Sequence, residues 1–154
     1  MIRCTPLGIC SWNFDLSADG HSARSEFNWC SEQGALTIDG NVHEVHKHGF
    51  LSGCWTLDEH ATVVVTAQKS SAFTRTFELS ATEDTIFLRA ASLFGRTMVL
   101  EGSGFDAVIA PVHSFTRRAT IEGTIADFRI ACFAFWLTAL LWRRAANDNN
   151  TAGS

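Results

Sequence analysis

Three histidines, His43, His46 and His48, stand within six residues as H-x-x-H-x-H, the nearest approach in the chain to a metal-ligand cluster. Alternate side chains of a β-strand share a face. Glu44, His46 and His48 would therefore lie together with His43 on the other side, offering two imidazoles and a carboxylate to a borderline cation. A zinc signature normally adds a second, distant ligand pair, and none follows. A solvated strand and turn before Gly49 is the plainer account, so His43, His46 and His48 stand as the candidate metal ligands while no metal or other cofactor is expected. Six basic residues, Lys69, Arg75, Arg89, Arg96, Arg117 and Arg118, recur in or beside predicted strands. Arginine suits planar, bidentate contact with phosphate, but sixteen carboxylates are available to pair with twelve cations on ordinary strand faces. No G-x-S-x-G elbow or P-loop occurs, and Gly102-Ser103-Gly104 lacks the rest of a dinucleotide fingerprint. No catalytic residue is assigned. No loop has the density of Asp oxygens that calcium requires.

The elements that would carry these residues are short. As far as Gly123, segments rich in Val, Ile, Thr and Phe alternate with turn signals such as Asp19-Gly20, Asp39-Gly40 and Gly102 to Gly104, with no sustained helical period. About twelve strands fit at the spacing of a barrel or sandwich. In Phe73 to Leu79 the alternation places Phe73, Arg75, Phe77 and Leu79 on one face. Val112 to Thr116 reads as a less regular strand, and Val63-Val64-Val65 as one buried on both faces.

The last strong segment, Ile130 to Trp142 (I-A-C-F-A-F-W-L-T-A-L-L-W), is apolar on every side. Such a helix is either a core element or a membrane span. At about 1.5 Å per residue it reaches roughly 20 Å, short of a bilayer's ~30 Å hydrocarbon layer, and Asp127 and Arg129 block its extension. A core helix follows. A barrel of about eleven or twelve strands is wide enough to take a helix along its axis, whereas packing on an open sandwich would leave half of the helix in water. The expected fold is thus a mainly β, closed, roughly twelve-stranded antiparallel barrel enclosing a hydrophobic C-terminal helix. One domain over residues 1–146 is expected, with the helix at about 125–144 and a disordered tail at 147–154.

With twelve Lys and Arg against sixteen Asp and Glu, the formal net charge of −4 argues against a nucleic-acid partner. Five cysteines, one of them inside the apolar helix, do not make a secreted disulfide framework, and the N-terminal stretch lacks the apolar run of a signal peptide. A cytoplasmic protein is expected.

Residues His48 to Asn147 resemble the small bacterial relatives of the tubby C-terminal and LURP-one proteins, whose superfamily also includes the phospholipid scramblases. The resemblance rests on Gly53-Cys54-Trp55-Thr56-Leu57, on Ala67 to Leu79, on Ser92-Leu93-Phe94-Gly95-Arg96, and on Thr116-Arg117-Arg118 through Phe133, Trp136-Leu137 and Leu141-Trp142-Arg143-Arg144. It implies a twelve-stranded barrel around a central helix and, through Lys69, Arg75, Arg89, Arg96, Arg117 and Arg118, contact with anionic lipid head groups. The expectation is a non-enzymatic binding module for anionic phospholipid head groups or a phosphorylated small ligand, peripheral to the membrane. The alternative is a structural or protein-protein interaction role, and the third reading is a small metal-dependent enzyme using the histidines.

Overall fold

The computed structural model describes residues 1–153. Twelve strands precede one helix: β1 (Ile2–Pro6), β2 (Phe14–Ala18), β3 (His21–Phe27), β4 (Gly34–Ile38), β5 (Asn41–His48), β6 (Cys54–Glu59), β7 (Thr62–Lys69), β8 (Thr76–Ala81), β9 (Asp84–Ala90), β10 (Met98–Gly102), β11 (Phe105–Pro111), β12 (Ala119–Ile125) and α1 (Phe128–Ala152). Each strand pairs antiparallel with its sequence neighbours, and β1 closes on β12 through Ile2↔Ile121 and Cys4↔Ala119. Closure leaves no unpaired strand edge.

The pleat sets what faces inward. In β9, Ile86 and Leu88 are buried while Thr85 and Arg89 are exposed; in β8, Phe77 and Leu79 are buried while Glu78 and Ser80 are exposed. Apolar inside and polar outside is the reverse of a membrane-spanning barrel, whose apolar band faces lipid. Among the described residues, no helix is long and apolar enough to cross a membrane.

The interior is filled by α1, whose residues Ile130 to Trp142 are all buried. Asp127 caps its start by accepting from the Arg129 amide at 2.8 Å. Phe14 meets Phe135 edge-on at 5.0 Å and Phe27 stacks on Trp136 at 4.4 Å. The indoles that this packing buries are satisfied: Trp136 Nε1 donates to the Glu26 carbonyl at 3.2 Å and Trp142 Nε1 to that of Arg96 at 3.0 Å. Thr138, the one polar side chain in the run, donates back to the Ala134 carbonyl at 2.8 Å.

Several boundaries differ from the sequence reading. The helix begins at Phe128 rather than near 125, because Ile125 still pairs with Phe105 in the sheet. It continues to Ala152, so residues 147–152, expected as a disordered tail, form its last turns; no Gly or Pro interrupts them before Gly153. Ser154 lies outside the described residues. β8 starts at Thr76, leaving Phe73 in a loop and fully exposed. Val112 to Thr116 is a connection, not a strand, and the Val63 to Val65 run alternates, with Val65 buried and Val63 exposed.

The two barrel ends differ in kind. At one, five hairpins turn in two residues each, as at Asp39-Gly40, where φ of +48° and +84° gives the turn that suits strand twist. At the other, all six connections run five to seven residues, and α1 emerges among them.

Candidate functional site

The histidine strand does not assemble a ligand set. His43 points inward and is buried, its Nδ1 3.1 Å from the Asn41 carbonyl and its Nε2 3.5 Å from Glu59. On the outer face His46 Nε2 lies 3.0 Å from Glu44 and 3.7 Å from Asp58. His48 turns instead to Thr56 Oγ1 at 2.7 Å. The alternation is as expected, but His46 and His48 do not converge. Among the described residues no group of three or more His, Cys, Asp or Glu side chains could hold a metal ion.

The basic residues divide more usefully. Arg89 lies on the outer wall, paired with Glu101 at 2.6 Å. Lys69, Arg75, Arg96, Arg117 and Arg118 all gather at the long-loop end. The donors of several go to the backbone of a neighbouring loop. Arg75, between β7 and β8, donates to the carbonyls of Ser92, Leu93 and Gly95, the last at 2.6 Å. Arg96 donates to Ser114 and Thr116 at 3.3 and 3.1 Å and lies over the Trp142 ring at 4.4 Å. Arg117 crosses the barrel closure to the carbonyls of Ile9 and Ser11 and lies over Trp12 at 4.8 Å. Arg143, from the helix, serves Asn28, Trp29 and Ser31. Lys69 donates to the Ala72 carbonyl at 3.2 Å, and burial, with Arg144 nearby, lowers its pKa. These side chains are latches: Arg75, Arg96 and Arg117 each hold the next loop, Arg143 ties a loop to the helix, and Lys69 braces its own connection; Arg118 is exposed.

Latching consumes donors but not charge. The six long connections, the strand residues flanking them and the helix past Trp142 hold seven of the twelve cations: Lys69, Arg75, Arg96, Arg117, Arg118, Arg143 and Arg144. Only Glu32 and Asp148 of the sixteen carboxylates are there. With histidines neutral this end carries +5 and the rest of the chain −9. The tight-turn end, with Asp19, Asp39, Glu59, Glu83, Asp84 and Asp127 and no Lys or Arg in its turns or their flanking residues, carries −6. Burial alone would raise the Glu32 carboxyl, but hydrogen bonds and charges from Arg144 and Lys47 overcome it and bring its pKa down to about 2.

Between the loops and the emerging helix lies a cavity of about 590 Å³ with Arg75, Arg96, Arg117, Trp12, Met98 and Trp142 in its wall. Three of the six sequence-derived candidates therefore meet in one place.

The residues that sequence reasoning missed are the loop tips. Ile9, Trp29, Phe50, Phe73, Phe94 and Phe115, one on each long connection, are each at least 90 % exposed, and Leu51 and Leu93 stand beside two of them. A signal was present. These six residues recur every 20 to 23 positions, one per β-hairpin, and Phe73-Thr74-Arg75, Phe94-Gly95-Arg96 and Phe115-Thr116-Arg117 repeat Phe-x-Arg at intervals of 21.

No protein-family model matches the chain, and no curated protein or solved structure shows significant similarity to it.

Proposed function

We propose that this protein is a non-enzymatic binding module whose long-loop end is drawn to anionic phospholipid surfaces. The observation that carries the reading is the segregation of charge, +5 at that end against −9 elsewhere. A molecule acidic overall would be repelled by an anionic membrane from most directions. Its own field turns one end toward the surface. The tubby and LURP-one resemblance of His48 to Asn147 points to the same ligand class. The latching of Arg75, Arg96 and Arg117 to carbonyls favours attraction by summed charge over a grip on one particular head group, because few of their donors remain to form a fork with phosphate.

Co-sedimentation with phosphatidylglycerol vesicles, and with phosphatidylcholine vesicles as control, tests the reading. The triple variant His113→Glu, Ser114→Glu and Arg118→Glu leaves every latch in place and lowers the charge of this end from +5 to about +1. Wild type should bind the anionic vesicles at 0.1 M salt and the triple variant should not. Equal binding by both, or none by either, overturns the reading.

A further inference from the structure

We infer that the six exposed loop tips enter the interfacial layer of the bilayer, seating the barrel end-on at the membrane with its acidic turns facing away. The inference rests on the anionic-surface reading for its partner, but a different observation carries it. An exposed Phe or Trp contributes nothing to the fold, and soluble surfaces seldom gather large apolar side chains in one region. Here Ile9, Trp29, Phe50, Phe73, Phe94 and Phe115 do so from six separate loops, all at one end.

The loops do not depend on their tips for order. Arg75, Arg96, Arg117 and Arg143 hold four of them through backbone carbonyls, Gln68 holds the Phe50 loop through Ser52 at 2.7 Å, and Lys69 holds the Phe73 loop through Ala72. Each tip is thus presented on a fixed backbone while its side chain touches water, so ordering costs at docking are small. The charge around the tips is positive, which suits an anionic surface and opposes stacking on the same end of a second copy.

The distribution also selects the partner. Protein interfaces concentrate their energy in a packed central cluster. Six tips on a ring around the polar end of a helix form no such cluster. A fluid head-group layer accepts separate tips one by one, as it does aromatic residues at membrane interfaces generally. The helix end is no obstacle to shallow seating: Asn149 and Asn150 line the same cavity as Phe94 and Phe115, so those tips stand beside its last turns.

The test compares wild type with Phe73→Ser, Phe94→Ser and Phe115→Ser combined, a variant that removes no packed side chain and so should fold. On phosphatidylglycerol vesicles at 0.1 M salt the variant's partitioning should fall about a hundredfold, roughly fivefold for each tip half-submerged. At 1 M salt, where the Debye length is ~3 Å, wild type should keep a measurable bound fraction and the variant none. Lipids brominated near the head-group end of the chains should quench Trp29 emission, measured as the difference between wild type and Trp29→Phe. Wild type that binds at low salt but is fully released at 1 M without Trp29 quenching overturns insertion and leaves electrostatic attraction standing. Tip variants that bind as wild type does also overturn it and reassign the tips to a protein partner. No binding by wild type to anionic vesicles removes both readings.

Discussion

Trp136 and Phe73 are both aromatic residues to which the fold assigns opposite fates, one fully buried and one fully exposed, so truncating each is a direct test of the architecture. Trp136 has no solvent exposure, stacks on Phe27 at 4.4 Å and donates to the Glu26 carbonyl at 3.2 Å. Removing a buried Trp side chain costs about 3 to 5 kcal/mol through lost burial and the cavity left behind; the lost stacking and the hydrogen bond, about 1 kcal/mol each, lie within that figure. Domain stabilities run at about 5 to 15 kcal/mol, so Trp136→Ala should shift the urea midpoint far down or prevent folding. Phe73 touches nothing that folding supplies, and Phe73→Ala should change stability by no more than about 0.5 kcal/mol. Trp136→Phe guards against an insoluble product: it keeps most of the ring, leaves the Glu26 carbonyl without its donor, and should cost about 1 to 3 kcal/mol. Urea titrations followed by circular dichroism read all three, with an unchanged slope confirming that the same surface unfolds. A loss below about 1 kcal/mol for Trp136→Ala, or a loss for Phe73→Ala comparable to that of Trp136→Phe, would refute a helix-centred core with a solvated loop end.

Two further outcomes follow from local chemistry. Glu32, with its pKa lowered from 4.5 to about 2 by Arg144 and Lys47, contributes stability that is complete above pH 4.5 and lost as pH falls toward 2. The depression is worth at most about 3 kcal/mol by linkage, so Glu32→Gln should flatten the acid limb of a stability-against-pH curve between those limits, and an unchanged limb would contradict the pairing. At Gly123, φ is +126° and an added Cβ would sit 2.1 Å from the Asp106 carbonyl oxygen, so Gly123→Ala should cost several kcal/mol through strain and displaced β11–β12 pairing. A melting temperature within a few degrees of wild type would show that the barrel closes with slack there.

The fold was legible because its strongest signals are local and mutually consistent. Asp-Gly turns, alternating strands and one helix without a polar face have few joint solutions, and closure around the helix satisfies all of them. The loop end was harder to read. Phe73 and Arg75 continue the alternation of Phe77 and Leu79 in sequence, yet the ladder at β8 begins only at Thr76, and two residues of backbone departure turn an apparent core residue into a tip. The latches were invisible for another reason. Arginines that bond to carboxylates leave a complementary charge pattern in the sequence, whereas Arg75, Arg96 and Arg117 bond to backbone carbonyls, which every residue has. Their conspicuous charge suggested free cations. The structure instead gives them structural partners while leaving their field intact.

The 21-residue recurrence ties these features together. Six hairpins of similar length bring the same point of each repeat to the same end of the barrel, so a residue type favoured at one loop tip is multiplied into a ring. The three connections from β7 to β12 each carry Phe-x-Arg: Arg75 and Arg96 each latch the next connection, and Arg117 passes the pattern across the β12–β1 closure to the first. That first connection, Leu7 to Asn13, has no charged residue with which to continue it. Arg143 of the helix fills the place, holding the β3–β4 connection through Asn28, Trp29 and Ser31, and Arg144 secures Glu32 beside it. The helix that fills the barrel therefore also completes the ring of loops at its mouth. Most of the positive field arises from the side chains that hold five of the six tip-bearing loops, Lys69, Arg75, Arg96, Arg117 and Arg143, while neutral Gln68 holds the sixth, so charge and tips are fixed to one end largely by the same bonds.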